Sequence, residues 1–131
     1  MIFEFNLFTF LAMICCHIIS DFILQNEFLS TYKQKKNWEL YIAKNKNYKY
    51  DYLVVLFTHA FIWSFITFFP IYLALDHINK GFIFGAIVFI NMMVHAFVDD
   101  QKCNKLTINL LVDQICHMLQ IILTFIACSF M

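Results

Sequence analysis

The chain has 131 residues, of which 62% are hydrophobic and only 14% are charged. Ordinary soluble domains carry roughly a quarter charged residues, so this balance excludes a soluble enzyme of the usual kind. The formal net charge is zero, and all nine positive residues are Lys, six of them between Lys33 and Lys49. This charge distribution gives no case for nucleic-acid binding.

Four apolar segments predict four transmembrane helices, so the expected fold is an all-α integral membrane bundle that forms one domain over residues 1–131. A helix rising 1.5 Å per residue needs about 20 residues to cross about 30 Å of hydrocarbon. The segments cover residues 5–26, 52–75, 82–99 and 107–130, each bounded by polar residues. The first lacks the basic N-terminal region of a signal peptide, so we expect a retained helix.

Lysine is concentrated in two of the three predicted loops. Loop 1, residues 30–51, has six Lys and loop 3 has Lys102 and Lys105, whereas loop 2 has only Lys80. By the positive-inside rule, loops 1 and 3 are cytoplasmic and both chain ends are external. Trp38 and the Tyr residues around loop 1 favour a position on the headgroups, where its Lys residues would attract anionic lipid. A solvated loop is the alternative.

A small set of polar residues interrupts the apolar segments. Its members are His17, Asp21, Gln25, His59, His95, Asp99, Asp113, Gln114 and His117. Because consecutive helices run in opposite directions, all of them fall in the cytoplasmic half of the predicted membrane. An Asp at the bilayer centre costs roughly 2.5 to 3.5 kcal/mol, so we expect these side chains to face the bundle interior and to pair.

Three His/Asp pairs have a spacing of four residues, which places both members on one helix face. The pairs are His17 with Asp21, His95 with Asp99, and Asp113 with His117. With His59 they offer four imidazoles and three carboxylates. Such a set suits one or two divalent ions such as Zn, Mn or Fe. The alternative is a metal-free hydrogen-bonded network that fixes the helix register.

Two further sets of residues are not expected to form a site. The five Cys include no CxxC pair and lie mostly in apolar segments, where Cys behaves as a small hydrophobic residue. His77 lies in the short external turn and is expected at the surface.

The polar motifs have a fixed order along the chain. They are HxxxDFxLQ from His17 to Gln25, His59 ahead of an apolar segment, HxxxDxxK from His95 to Lys102, and DQxxH from Asp113 to His117. This order resembles the DUF3307 family of small bacterial and phage membrane proteins over nearly the whole chain. The resemblance implies a bacterial inner-membrane protein. It also adds Gln25, Lys102 and Gln114 to the site or its surroundings, with Lys102 placed to meet an anionic group.

Asp100 directly follows Asp99, which leaves open whether Asp99 or Asp100 is the carboxylate that pairs with His95. The long, Lys-rich loop 1 has no counterpart in the family pattern.

The first functional hypothesis is a membrane-embedded, metal-dependent hydrolase of a lipid or lipid-linked phosphate. One carboxylate among Asp21, Asp99 and Asp113 would act as general base. The metal ligands would be drawn from His17, Asp21, His59, His95, Asp99, Asp113 and His117.

Two other hypotheses remain open. One is transport of a divalent cation or of protons along the polar residues. Their confinement to one half of the membrane opposes transport unless a homo-oligomer completes the path. The other is a structural or regulatory membrane protein in which the polar residues only specify helix packing.

Overall fold

The computed structural model describes residues 6–76 and 78–130. The regular secondary structure in these two ranges is entirely helical, which confirms the all-α fold class. The α-helices are α1 (Leu7–Ile18), α2 (Glu27–Tyr32), α3 (Glu39–Lys44), α4 (Asp51–Ala74), α5 (Lys80–Asp100) and α6 (Leu110–Ser129). His77, which was expected at the surface, lies outside the described residues.

Three helical stretches are long and apolar enough to cross a membrane. They are Lys46–Ala74, Lys80–Lys105 and Leu110–Ser129, and they contain the second, third and fourth predicted segments apart from a few terminal residues. The first predicted segment contains a shorter apolar helix, Leu7–Ile23. This helix ends earlier than predicted because the backbone is extended at Asn26, whose side chain caps α2 by accepting a hydrogen bond from the Leu29 amide at 2.9 Å.

Two π-helical turns extend α1 and α5 at the same end of the bundle. The first, Ile19–Ile23, continues α1, and the second, Gln101–Lys105, continues α5. A π-turn contains one more residue than an α-turn and often marks a functional site. The two turns carry Asp21 and Lys102, both of which belong to the predicted polar set.

Apolar side chains fill the other end of the bundle. Helix α4 packs along α5 and also contacts α1, while α6 contacts α1, α4 and α5. The fully buried side chains of Met13, Phe68, Ile71 and Ile121 form the centre of this core. Each of α1, α4, α5 and α6 therefore contributes one apolar half and one half that carries His or Asp.

The outer surface of the bundle is apolar. Large side chains on the outer faces of α4, α5 and α6, such as Phe61, Phe89, Ile90 and Leu123, are between 49% and 65% exposed. In contrast, Asp99 is completely buried. Contiguous apolar surface of this extent is typical of contact with a membrane or a partner. The distribution is consistent with a membrane protein.

Loop 1 is folded into short helices that pack against α4, and its start also contacts the turn that follows α5. It contains part of α2, all of α3 and the two 3₁₀ turns Lys35–Trp38 and Lys46–Tyr50. The side chain of Asn104 accepts a hydrogen bond from the Lys35 amide at 2.7 Å and donates one to the Lys33 carbonyl at 3.3 Å. These contacts hold the start of loop 1 next to the second π-turn.

Candidate metal centre

The predicted His and Asp residues meet at the end of the bundle where α1 and α5 end and α4 and α6 begin. Their side chains come from four helical stretches and are buried despite their polarity. The buried members are His17, Asp21, His59, His95, Asp99, Asp113 and His117. We call these seven residues the polar cluster.

Two imidazole nitrogens and two carboxylate oxygens of the polar cluster lie close to one another. The Nε2 atoms of His59 and His95 are 3.2 Å apart. His59 Nε2 lies 3.6 Å from Asp21 Oδ1 and 3.4 Å from Asp99 Oδ2, and His95 Nε2 lies 3.9 Å from Asp99 Oδ2. A tetrahedral ion with bonds of about 2.0 to 2.2 Å holds its ligand atoms roughly 3.3 to 3.6 Å apart. The distances from His59 Nε2 to the other three atoms are close to this range, and Asp21, His59 and His95 form one group whose ligand atoms all lie within 4.8 Å of one another. Asp99 instead groups with His95 and His117.

A second group of ligand atoms adjoins the first through the other oxygen of Asp99. His117 Nε2 is 3.3 Å from Asp113 Oδ1 and 4.0 Å from Asp99 Oδ1. None of these three buried atoms makes a hydrogen bond to the described residues. Buried polar atoms of this kind usually mark a bound ion or an ordered water. The residues present thus fit a cation at this end of the bundle.

Together, six of the seven predicted ligands form three overlapping groups that could hold a metal ion. The seventh, His17, belongs to none of these groups. Trp63 Nε1 donates to His17 Nδ1 at 2.9 Å, so the ring proton of His17 resides on Nε2, which donates to Gln114 Oε1 at 3.2 Å. Both ring nitrogens of His17 are occupied, and the residue orients Gln114.

Gln114 connects two carboxylates of the polar cluster. Its Nε2 donates to Asp21 Oδ2 at 2.8 Å and to Asp113 Oδ2 at 3.1 Å. These hydrogen bonds leave Oδ1 of each Asp directed towards the imidazoles. Gln114 therefore holds the two carboxylates in the orientation that a metal ligand requires.

Aromatic stacking fixes two of the imidazoles. The ring of His95 stacks on Trp63 at a centroid distance of 4.2 Å and on His117 at 4.1 Å. Trp63 and His117 also contact each other, at a centroid distance of 5.2 Å and an interplanar angle of 44°. The three rings, from α4, α5 and α6, therefore pack against one another. This packing restricts the rotation of both imidazoles.

A buried lysine from loop 1 enters the polar cluster. Lys33 is only 3% exposed, and its Nζ donates to Asp99 Oδ2 at 2.5 Å. The side-chain amide of Gln25 has one orientation in which both its oxygen and its nitrogen are hydrogen-bonded. In that orientation Gln25 accepts a hydrogen bond from Lys33 Nζ at 2.6 Å and donates one to the Asp21 carbonyl at 3.1 Å. Gln25 thus links the end of α1 to the ammonium group of Lys33.

A second lysine lies at the edge of the polar cluster. Lys102 Nζ donates to Asp113 Oδ2 at 2.6 Å and lies 3.3 Å from Asp99 Oδ1. Its side chain is 21% exposed, whereas those of Asp99 and Asp113 are fully buried. Two ammonium groups therefore accompany the three carboxylates of the cluster.

Asp99, and not Asp100, is the carboxylate that faces the polar cluster. Asp100 Oδ2 pairs with Lys105 at 3.2 Å, and its Oδ1 accepts a hydrogen bond from Asn104 at 2.9 Å. The two neighbouring carboxylates therefore point to different sides of α5.

Lys33 and Trp63 are the two residues of this site that the sequence did not single out. Trp63 follows His59 by four residues and so shares its helix face, and a buried Trp usually needs an acceptor for its N–H. That pattern could have indicated a polar contact. Lys33 had no local signal, because its position depends on how loop 1 folds onto α5.

No protein-family model, curated protein or solved structure matches the chain. The resemblance to the DUF3307 family therefore stays a prediction. The function has to be inferred from the residues of the polar cluster and their geometry.

Proposed function

We propose that the chain is a four-span membrane protein that binds a divalent metal ion in the polar cluster and hydrolyses a lipid or lipid-linked phosphate. The observation that carries this proposal is the group formed by Asp21, His59 and His95, whose buried ligand atoms all lie within 4.8 Å of one another. Asp99, whose Oδ2 lies 3.4 Å from His59 Nε2, belongs to an overlapping group with His95 and His117. A mixed His and carboxylate set of this kind suits Zn, Mn or Fe.

The shape of α1 supports a fourth span. The helix and its π-turn have 12 and 5 residues, which gives about 26 Å at 1.5 Å per residue. A bilayer thins locally around a stretch a few Å too short, at a modest cost. Phe8, Leu11 and Phe22 are exposed on the outside of this helix, while Met13 and His17 are buried on its inside. Its outer face would therefore contact lipid.

The division of the polar cluster suggests separate roles in hydrolysis. A divalent ion, when bound, polarises a phosphoryl oxygen and lowers the pKa of a coordinated water. Asp113 Oδ1 and His117 Nε2 lie outside the group of Asp21, His59 and His95, and they make no hydrogen bond to the residues that the structure describes. They are 3.3 Å apart and can accept and return a proton, as a general base and acid must.

An apolar groove next to the polar cluster supports a lipid substrate. It has a volume of about 360 Å³ and lies between α2 and the start of α4. Phe28, Leu29 and Val54 contribute to its lining, and so does Thr58, the residue before His59. A hydrocarbon chain in this groove would bring its headgroup close to the cluster.

Transport is the second candidate, because a polar network continues beyond the cluster between α5 and α6. Gln120 Nε2 donates to the Asn91 carbonyl at 2.7 Å, and Thr124 donates to Asn91 Oδ1 at 3.2 Å. The network could carry protons or a divalent cation part of the way across the membrane. The buried side chains of Phe68 and Ile121 near its far end oppose a complete path.

Elemental analysis of detergent-purified protein tests the metal site. We expect about one divalent ion per chain, and less than about a tenth of one in His59→Ala and His95→Ala. Thr58→Ala is the matched control, because Thr58 is exposed beside His59 and should leave the metal content unchanged. A metal-replete wild-type protein that binds less than about a tenth of an ion per chain would overturn the proposal.

Two assays on the metal-loaded protein separate hydrolysis from transport. Hydrolysis predicts release of phosphate from mixed micelles that contain a lipid phosphate, and Asp113→Asn should lower the rate by about 10²- to 10⁴-fold with metal retained. Transport predicts metal or proton flux in proteoliposomes without lipid turnover. Flux without turnover would replace the hydrolase with a transporter.

A further inference from the structure

We propose that Lys33 and Lys102 form a phosphate-binding subsite that becomes available when the polar cluster holds its metal ion. This inference rests on the proposed metal site and gives the site a substrate class, a phosphate group. Lys33 is only 3% exposed, and a lysine as buried as this is rare unless its charge is compensated. The Lys33 ammonium group lies in the polar cluster, whereas the other five Lys residues of loop 1 are exposed at the surface.

The two ammonium groups lie on opposite oxygens of one carboxylate. Lys33 Nζ contacts Asp99 Oδ2 at 2.5 Å, and Lys102 Nζ lies 3.3 Å from Asp99 Oδ1. Both lysines are therefore close to the ligand atoms that would face a metal ion. A phosphate that reaches this ion would meet both ammonium groups, each of which has three donor hydrogens.

Charge balance determines which ligand the loaded cluster attracts. With ionised carboxylates and neutral imidazoles, the three Asp residues and two Lys residues leave one net negative charge, which favours a cation. One divalent ion converts this to one net positive charge. An uncompensated charge is costly in a low-dielectric interior, so the loaded cluster favours an anion. Lysine is a common phosphate ligand because it acts as a point charge.

A surface pocket lies close to the proposed subsite. It has a volume of about 330 Å³ and lies between loop 1 and the end of α5, and its polar lining includes Lys35, Lys36, Glu39 and Asn104. Cys103 follows Lys102, and the Asn104 side chain donates to the Lys33 carbonyl at 3.3 Å. The cavity is therefore lined by a neighbour of Lys102 and by a side chain that contacts the Lys33 backbone, and its two lysines outnumber the one carboxylate of Glu39.

Titration calorimetry with inorganic phosphate tests the subsite on the full chain in an uncharged detergent. The metal-loaded protein should bind phosphate, and Lys33→Gln and Lys102→Gln should each weaken binding at least about tenfold. Lys44→Gln is the matched control, because Lys44 is exposed in α3 away from the cluster. Lys102 is partly exposed, so its substitution tests the subsite even if loss of the buried Lys33 impairs folding.

Two further titrations identify the source of the phosphate. Mixed micelles with phosphatidic acid present a lipid phosphate with an exposed monoester, and micelles with phosphatidylcholine present a shielded diester. Lysine-dependent binding of phosphatidic acid or of inorganic phosphate supports the subsite and shows which source it accepts. Binding that is equal in wild type and both lysine variants overturns the inference, and so does the absence of phosphate binding by metal-loaded protein.

Metal content measured on the same samples keeps the two proposals separable. Metal-loaded protein that binds no phosphate contradicts the subsite and leaves the metal site standing. Lysine-dependent phosphate binding by protein that never binds metal contradicts both the proposed hydrolase and the metal dependence of the subsite.

Discussion

The hydrogen bond from Trp63 to His17 illustrates how one contact changes the role of a residue. A neutral imidazole has one donor and one acceptor nitrogen, and Trp63 Nε1 occupies the acceptor Nδ1 at 2.9 Å. The donor Nε2 then faces Gln114. His17 consequently acts on the polar cluster through Gln114, although its spacing to Asp21 is the same as in the other His/Asp pairs.

We predict that His17→Ala lowers metal affinity by about 10- to 100-fold, the usual effect of losing a residue that orients a ligand. His95→Ala should abolish binding, because it removes a ligand atom. Competition with a chelator of known affinity measures both variants. Trp63→Phe should behave like His17→Ala, and the double variant should be no worse than either, because both act through one hydrogen bond. If His17→Ala loses metal as completely as His95→Ala, His17 is a ligand after all.

The spacing of His and Asp allowed most of the site to be predicted at the level of residues. Four-residue spacing and matched depth singled out the residues of the three potential ligand groups. The tautomer of His17 could not be predicted, because it depends on Trp63 from another helix. The contact of Lys33 could not be predicted either, because it lies 66 residues before Asp99 in the chain and depends on the fold of loop 1.

At the level of elements, the π-turn Ile19–Ile23 determines where Asp21 points. Apolar periodicity predicts helices but does not reveal one extra residue in a turn, so this irregularity could not be predicted. The π-turn lets Asp21 contact both His59 and Gln114 while His17 faces Trp63. A regular helix with one residue fewer would turn Asp21 about 100° around the axis relative to His17.

We predict that deletion of Ile19 lowers metal affinity as much as Asp21→Ala does, because the shortened helix directs Asp21 away from His59. Ile19→Ala is the matched control, since this side chain is 37% exposed and its truncation leaves the turn intact. Chelator competition gives the affinities, and circular dichroism verifies that the helix content is kept. Normal metal affinity in a folded deletion variant would show that the π-turn does not position Asp21.

For the whole molecule, an apolar exterior surrounds a polar cluster at one end and an apolar core at the other. Hydropathy sufficed to predict the helices that form Lys46–Ala74, Lys80–Lys105 and Leu110–Ser129. It could not predict where α1 ends, because the stop comes from the capping contact of Asn26 within a continuously apolar region. Whether α1 crosses the membrane decides on which side Asn6 lies.

We predict that Asn6 lies on the external side together with Ser129, and that Lys36 lies on the cytoplasmic side. An even number of spans places both ends of the described chain on one face, and the Lys-rich loop 1 is retained inside. Single Cys residues at these positions, in a background with the five native Cys replaced by Ala, can be labelled with an impermeant maleimide. Asn6→Cys and Ser129→Cys should be labelled in right-side-out vesicles, and Lys36→Cys should be labelled in inverted vesicles.

Labelling of Asn6→Cys only in inverted vesicles would mean that α1 enters and leaves on the cytoplasmic side. The polar cluster would then be closed by a re-entrant helix in a bundle of three spans.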